Sequence, residues 1–312
     1  MADIRKVATR QSYGEALVEL GAAHDDFVVL DADLAAATQT GKFKAAYPDR
    51  FIDVGVAEQN LMGVAAGIAT TGHRVFASTF AMFAAGRAFE QVRNSIGYPH
   101  LHVVIGATHA GMSVGEDGAT HQCNEDLALM RAIPGMTVIV PADDVEAKAA
   151  VRAAYEAEGP VYVRLGRLPV PVIHKDDYHF ELGRGVVERE GSDVTVVACG
   201  LEVSAALEAA KTLVDKGLSC EVINMATVKP LDGGLIVASA RKTGRVVTVE
   251  EHSVIGGLGS AVCDLLCEAL PTPVKKIGVN DVFGESGPAL DLLAKYGLDG
   301  AGVAAAIEGF VR

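Results

Sequence analysis

The chain has 312 residues, half of them hydrophobic and only 5% aromatic, and a formal net charge of −13. That length suffices for two domains with a large core. The excess of acid argues against nucleic acid as a partner, because phosphate backbones are bound through clustered Lys and Arg. An acidic surface also repels anionic substrates, so any phosphate site must depend on a few local cations.

The cysteines and the N-terminus indicate a cellular compartment. The five cysteines form no C-x-x-C pair and have no zinc-like spacing with histidine, so we interpret them as reduced core thiols. The first residues lack the apolar stretch of a signal peptide, and no run approaches the roughly 20 apolar residues of a membrane span. We therefore expect a cytoplasmic protein that binds neither membrane nor nucleic acid.

The first half of the chain alternates apolar, β-rich runs with helical periodicity. This alternation predicts a parallel, doubly wound α/β sheet with its sites at the strand ends. Strands are predicted over Phe27–Leu30, Phe51–Val54, Arg74–Ala77, Leu101–Ile105, Thr137–Val140 and Val161–Arg164. Helices are predicted over Ser12–Leu20, Glu58–Thr70, Met82–Ser95, Glu125–Ala132 and Asp143–Ala157.

A stretch rich in proline and charge, Leu168–Tyr178, marks a domain boundary. We predict a first domain over residues 1–170, a linker over 171–185 and a smaller α/β domain over 186–312. In that domain strands are predicted over Val194–Ala198, Cys220–Asn224, Val246–Glu250 and Val274–Gly278. Helices are predicted over Glu202–Lys216, Asp232–Arg241, Leu258–Ala269 and Pro288–Tyr296.

The segment Thr108–Gln122 follows a predicted strand and holds two histidines, two acids and three glycines. Polar groups on a loop at the C-terminal end of a strand are well placed to meet a ligand. A structural role is the alternative, with the glycines forming turns that the histidines cap. Metal binding by His109 and His121 is also open, although no surrounding pattern supports it.

Two strand-to-helix junctions carry further candidates. Glu58 lies at a predicted helix start, where free N–H groups and the helix dipole favour a carboxylate, and such residues are often purely structural. Phe80 and Phe83 are three residues apart on one predicted helical face. That spacing is usual in a core, but two rings at a strand end can also form a stacking wall for a flat ligand.

Together these segments resemble the transketolase family, with little interruption from Thr9 to Arg167 and more loosely to the C-terminus. The segment ending in Glu58 resembles the one whose glutamate activates thiamine diphosphate, so the resemblance makes Glu58 the catalytic carboxylate. It also places Phe80 on the pyrimidine ring of the cofactor, Phe83 beside it and Asp33 close by. Many family members have an aromatic residue where this chain has Gly86.

The segment Gly115–His121 resembles the substrate loop of the family. The resemblance assigns His109 to the phosphate end of the donor, assigns Asp117 and His121 to the sugar hydroxyls, and gives both histidines catalytic roles. Two further matches, Arg10 and Arg167, bind the sugar phosphate in that family and would be the local cations. A serine expected shortly after Asp33 is missing, with Ala36, Ala37 and Thr38 in that segment.

The magnesium and diphosphate motif of thiamine enzymes is not found in this sequence. That motif is a G-D-G segment followed about two dozen residues later by Asn, and Gly115–Gly118 belongs instead to the substrate loop. The resemblance therefore implies no metal site on this chain. It implies that thiamine diphosphate is shared with a separate N-terminal transketolase subunit that holds most of the Mg²⁺ contacts. It also implies a self-associating dimer within a heterotetramer.

The reaction implied by the resemblance moves a two-carbon ketol unit between a ketose phosphate and an aldose phosphate. Alternatives are a deoxyxylulose phosphate synthase, the beta subunit of a 2-oxoacid dehydrogenase, or a sulfosugar or branched-sugar transketolase. The loop histidines and two arginines favour sugar phosphates over simple oxoacids. A non-catalytic interaction subunit is a further alternative, but it would have no chemical reason to retain these groups together.

Overall fold

A computed structural model describes residues 5–312, which form two α/β units built on separate sheets. The strands are β1 (Lys6–Val7), β2 (Phe27–Asp31), β3 (Phe51–Asp53), β4 (Arg74–Phe80), β5 (Val103–Thr108), β6 (Thr137–Ile139), β7 (Val161–Arg164), β8 (Val170–Pro171), β9 (Val186–Arg189), β10 (Val194–Ala198), β11 (Cys220–Asn224), β12 (Thr227–Lys229), β13 (Val246–Ser253) and β14 (Val274–Val279).

Helices cover the sheets, and many of their inward positions are alanine, which permits close packing. The helices are α1 (Thr9–Ala23), α2 (Ala35–Thr38), α3 (Gly41–Ala46), α4 (Glu58–Ala69), α5 (Phe89–Gln91), α6 (Asp126–Arg131), α7 (Asp144–Glu156), α8 (Glu202–Val214), α9 (Gly233–Thr243), α10 (Leu258–Ala269), α11 (Ala289–Lys295) and α12 (Gly300–Val311).

The first sheet has the order β12-β6-β7-β5-β4-β2-β3 and is parallel except for β12, which pairs antiparallel with β6. Its central strands are apolar on both faces because helices cover both, as in doubly wound folds. The register sets Asp31 beside Ser78 and Phe80 beside Thr108. The C-terminal ends of β2, β4 and β5 therefore meet at one edge, where the sequence predicted a site.

The second sheet has the order β14-β13-β10-β11-β9, with β9 antiparallel to β11. Together the two sheets confirm the predicted α/β class, and each carries one antiparallel edge strand. The residues from 172 to 185, in the predicted linker, contain no helix or strand, yet His174 is buried. The boundary at 171–185 stays a prediction of the sequence, since β12 from beyond it completes the first sheet.

The segment Met82–Ser95, predicted as one α-helix, is mostly π-helical in the structure. Met82–Arg87 and Val92–Gly97 are π-helical, and only the short α5 between them is α-helical. The wider turns are visible in the Ala88 N–H, which donates to the carbonyl of Phe83, five residues back, at 3.1 Å. Such insertions are frequent at functional sites. The sequence pattern predicted one α-helix here, because the position of a π-helical turn depends on packing with distant residues.

Six short elements and one longer helix were not predicted: β1, β8, β9, β12, α2 and α3, and the 12-residue α12. The two-residue strands β1 and β8 pair with each other, and α12 contains three glycines, which weaken any helical signal. Within residues 5–312, no helix combines the length and the apolar content that a membrane crossing needs.

Candidate active site

Two arginines line a cleft of about 380 Å³ at the C-terminal edge of the first sheet. Arg10, on the first turn of α1, donates to the carbonyl of Ala37 at 2.8 Å. Burial, and then the like charge of Arg167, lowers the pKa of Arg10. No carboxylate of residues 5–312 lies within ion-pair distance of Arg10, so its charge remains available to an anionic ligand.

His109 follows β5, and its two ring nitrogens contact Arg10 and Thr108. Its Nε2 atom lies 3.2 Å from Arg10 Nη1, and its Nδ1 atom lies 2.9 Å from Thr108 Oγ1. Because a guanidinium can only donate, Nε2 accepts, and Nδ1 carries the proton and donates to Thr108. Burial first, then the charges of Arg10 and Arg167, lowers the pKa of His109 to about 3, so its imidazole is neutral near pH 7.

The backbone of His109 is also unusual, with φ at 57°. A non-glycine residue in this left-handed region is uncommon, and such residues concentrate at binding and catalytic sites. Here the conformation turns the chain from the strand into the loop while the imidazole stays buried against the sheet edge.

Aromatic rings stack beside this histidine. The Phe80 ring lies 3.8 Å from the His109 ring at 26°, and the Phe83 ring lies 5.8 Å from Phe80 at 15°. His121 meets the edge of Phe83, with ring centroids 5.4 Å apart. The structure therefore brings His109, Phe80, Phe83 and His121 into one group with layered flat surfaces.

Glu58 is the first residue of α4 and is 6% exposed. Its carboxylate lies 3.7 Å from Arg87 Nε, its ion-pair partner. Ile52 on the nearby edge strand β3 and Val56 in the turn after it are exposed, Val56 at 78%. A buried acid at a helix start, beside exposed apolar residues at a sheet edge, is suited to a ligand that another chain helps to cover.

The remaining predicted residues are at the periphery. Asp117 is exposed on its loop, with its carboxylate 3.9 Å from Arg167 Nη1. Asp33 is exposed at φ 62°, and its backbone N–H donates to Asp53 at 3.0 Å. No described contact joins Asp33 to the ring group. Arg167 donates to the Val114 carbonyl and to Glu116 at 3.0 Å, so loop groups hold it in place.

Sequence reasoning missed several supporting groups. The Ala37 carbonyl orients Arg10, although the missing serine in that segment had drawn attention to it. Thr108 orients His109, and Arg87 partners Glu58. A backbone carbonyl leaves no trace in the sequence, and the partners of Arg87 depend on the π-helical turn that carries it.

Family models match both halves of the chain. The pyrimidine-binding domain of transketolase matches residues 5–172, and the transketolase C-terminal domain matches residues 183–303. The chain belongs to the transketolase family. We use these two domain names for the matched ranges below.

Transketolase relatives match over nearly the full chain. A transketolase C-terminal section from Methanocaldococcus jannaschii is 51% identical over 95% of this chain and 93% of that protein. A 6-deoxy-6-sulfo-D-fructose transketolase subunit from Clostridium sp. MSTE9 is 44% identical over 93% of this chain and 90% of that protein. Human transketolase is 38% identical over 98% of this chain but only 49% of that protein.

A solved structure shows the same fold. A split gene transketolase, described as an inactive beta4 tetramer, superimposes with a TM-score of 0.91 at 58% identity. The match covers 97% of this chain and 98% of that chain. The resemblance to transketolase inferred from the motifs is thereby confirmed.

Transketolase family members use thiamine diphosphate, and the described residues fit its pyrimidine half. The nearly parallel rings of Phe80 and Phe83 offer flat apolar surfaces, and the buried Glu58 offers a carboxylate for a ring nitrogen. In residues 5–312, no three His, Cys, Asp or Glu side chains are grouped as ligands for a metal ion.

Proposed function

We propose that this chain is the subunit of a thiamine-diphosphate-dependent transketolase that moves a two-carbon ketol unit between ketose and aldose phosphates. The observation that carries the proposal is the cleft in which Arg10 and Arg167 stand beside a neutral His109, next to stacked rings. Two guanidiniums suit a phosphate dianion, and the rings suit a flat cofactor. Simple oxoacids would not need the arginine pair.

In this proposal, one set of residues binds the cofactor and another binds the substrate. Glu58 holds a proton at the pyrimidine nitrogen, Phe80 stacks on that ring, Phe83 lies beside it, and Asp33 lies close to the cofactor. The cofactor, when bound, supplies the electron sink that lets the donor's carbon–carbon bond break. Arg10, Arg167 and His109 bind the phosphate end, while Asp117 and His121 orient the sugar hydroxyls. His109 and His121 are also the residues suited to proton movement at the substrate.

The diphosphate end of the cofactor and its Mg²⁺ are assigned to a separate N-terminal transketolase subunit. The alignment of this chain with about half of human transketolase supports this division. So does the likeness to a split gene transketolase. The exposed Ile52 and Val56 near Glu58 support burial of that face in an assembly of two such chains with two partners. A cytoplasmic location stays a prediction.

The arginine pair provides the test. In the complex reconstituted with its partner, Arg10→Ala should raise KM for a ketose phosphate about ten-fold or more, since charge-assisted hydrogen bonds contribute roughly 1.5–3 kcal/mol. KM for hydroxypyruvate, which carries no phosphate, should stay within about two-fold. Arg167→Ala should show the same split.

A matched control is Arg152→Ala. Arg152 is a surface arginine on α7 whose partner is Glu19, so its loss removes one charge without touching the cleft. KM for both donors should be unchanged. Equal losses on both donors in the Arg10 variant would show that the arginine supports the structure instead of binding phosphate.

The sulfosugar alternative has a specific observation in its favour, the 44% identity to a 6-deoxy-6-sulfo-D-fructose transketolase subunit. The same arginine cleft could bind a sulfonate, which carries one charge where a phosphate carries about two. Comparing kcat/KM for a ketose phosphate with that for the matching sulfonated ketose separates the two. A preference for the sulfonate would overturn the sugar-phosphate assignment while keeping the transketolase one.

A further inference from the structure

The loop from Gly111 to Gly118 carries part of the cleft wall, and the C-terminal domain holds it. Glu251, on β13, is 4% exposed, and its carboxylate accepts a hydrogen bond from the backbone N–H of Ser113. Gly111 has φ at 79°, and a Cβ atom there would collide with the same carboxylate. Only glycine therefore allows the loop backbone to approach Glu251 so closely.

A second tie runs through Gln122. Its buried side-chain amide donates to the Met112 carbonyl at 3.2 Å and to the Glu285 carbonyl at 2.9 Å. The first of these belongs to the loop and the second to the segment before α11 in the C-terminal domain. One side chain thus joins the two domains at this loop.

The loop also packs directly on that segment. A Cβ atom on Gly115 would lie 3.2 Å from the Gly287 carbonyl oxygen, and one on Gly118 would collide with Ser286. Both glycines have positive φ, at 80° and 74°. The loop conformation therefore depends on contacts with the C-terminal domain along most of its length.

These contacts reach the ligand cleft. Ser113 and Glu116 of the loop, and Ala289 of the C-terminal domain, line the cleft together with Arg10 and Arg167. Arg167 donates to the Val114 carbonyl and to Glu116, both on the loop. A shift of the loop would therefore move one of the two cations of the cleft and change its width.

We infer that Glu251 and Gln122 are positioning residues, through which the C-terminal domain sets the loop conformation and with it the affinity for the charged end of the donor. This inference rests on the proposed function for the identity of the donor. The contacts between loop and domain do not depend on it. The C-terminal domain thereby gains a role in donor binding without itself presenting a charged group to the donor.

The chain offers a matched control in the neighbouring residue. Glu250 is buried on the same strand and also accepts backbone hydrogen bonds, from Leu258 at 2.6 Å and Gly259 at 2.8 Å. Those amides begin α10 within the C-terminal domain. Glu250→Gln therefore weakens a buried carboxylate–amide contact of the same kind without touching the loop.

The first measurement is hydrogen–deuterium exchange on the full chain, with no partner and no donor. Burial raises the pKa of Glu251 to about 7, so exchange is compared well above that pH, where the carboxylate is ionised. There Glu251→Gln should raise the exchange rate over residues 111–118 by about five-fold or more, because a neutral acceptor is roughly half as strong as a charged one. Glu250→Gln should instead raise exchange at the start of α10 and leave the loop unchanged. Loop exchange that is unaltered in Glu251→Gln, or altered equally in both variants, would overturn the inference.

The second measurement is steady-state kinetics in the reconstituted complex. Glu251→Gln should raise KM for a ketose phosphate by about five-fold or more, with a smaller change for hydroxypyruvate and little change in kcat. Glu250→Gln should leave both KM values within about two-fold. A fall in kcat that follows melting temperature in both variants would show a merely structural role and sink the positioning assignment.

A second variant covers the case in which Glu251→Gln fails to fold. Gln122→Met keeps a similar volume and removes the amide donor, so it should also raise loop exchange and KM for the phosphorylated donor. Loop exchange that rises while no partner supports ketol transfer would refute the proposed function and leave the positioning contacts intact. Ketol transfer by the complex, with loop exchange unchanged in both variants, would refute the positioning roles of Glu251 and Gln122 and leave the proposed function intact.

Discussion

The surroundings of Glu58 are compatible with a structural role and with a role in cofactor binding. It is nearly buried at the first position of α4, where the helix dipole favours an acid, and Arg87 Nε lies 3.7 Å from it. Those contacts alone would account for a structural residue. Its place beside exposed apolar residues at the sheet edge is what favours a role toward a cofactor.

The substitution Glu58→Gln distinguishes a structural role from a catalytic one. Gln keeps the shape of the side chain and removes the acid, so turnover of the reconstituted complex should fall about a hundred-fold or more while the fold persists. Steady-state kcat and circular dichroism measure the two quantities. Glu90→Gln, at an exposed glutamate on α5, is the control and should leave kcat unchanged. A Glu58→Gln complex with most of its activity would make Glu58 a helix-start residue only.

At the scale of elements, the segment 172–185 between the two domains is anchored by a buried histidine. His174 is buried, with Nδ1 3.0 Å from Asp143 and Nε2 3.0 Å from Glu188. Asp143 also accepts the N–H of Glu146 and so caps α7. The segment is therefore anchored to a helix of the pyrimidine-binding domain and to β9, which belongs to the second sheet.

This anchor predicts a pH-dependent stability. Burial opposes protonation of His174, but the carboxylates of Asp143 and Glu188 outweigh it and raise the pKa of His174 from 6.5 to about 10. A pKa raised by folding contributes stability that is fully present below pH 6.5 and is lost as the pH rises through 10. His174→Gln should therefore lower the free energy of unfolding by about 3 kcal/mol near pH 6, where the histidine is protonated and both carboxylates are ionised, and by much less near pH 10.

Urea unfolding on either side of this range tests the anchor. His179→Gln, at an exposed histidine five residues later, is the matched control and should change stability little at any pH. A destabilisation of His174→Gln that is the same size at pH 6 and near pH 10 would mean that the charged pair contributes nothing beyond packing.

At the scale of the whole molecule, we propose that the site is shared between this chain and a partner. The purified chain should show no ketol transfer and little affinity for thiamine diphosphate with Mg²⁺, because those ligands are assigned to the partner. Isothermal titration calorimetry and a coupled activity assay measure both. Adding the N-terminal subunit should restore both, while that subunit alone should remain inactive. Full turnover by this chain alone would refute the shared site.

Much of this organisation follows from sequence alone. Doubly wound strands are long apolar runs, and the motifs around Glu58, Phe80 and His109 lie at strand ends, so pattern and family resemblance were enough to predict the α/β class and the transketolase family. Those features are local in the chain. A run of four or more residues carries its own periodicity whatever surrounds it.

Only the tertiary structure decided what depends on residues distant in sequence. The stacking of His109 on Phe80, the Ala37 carbonyl that orients Arg10, and the contact of Glu251 with Ser113 all join separate segments. The π-helical turns after Phe80 and the strand β12, which crosses into the first sheet, likewise depend on packing. Side-chain patterns report which face of an element is buried, but not which distant backbone group will lie against it.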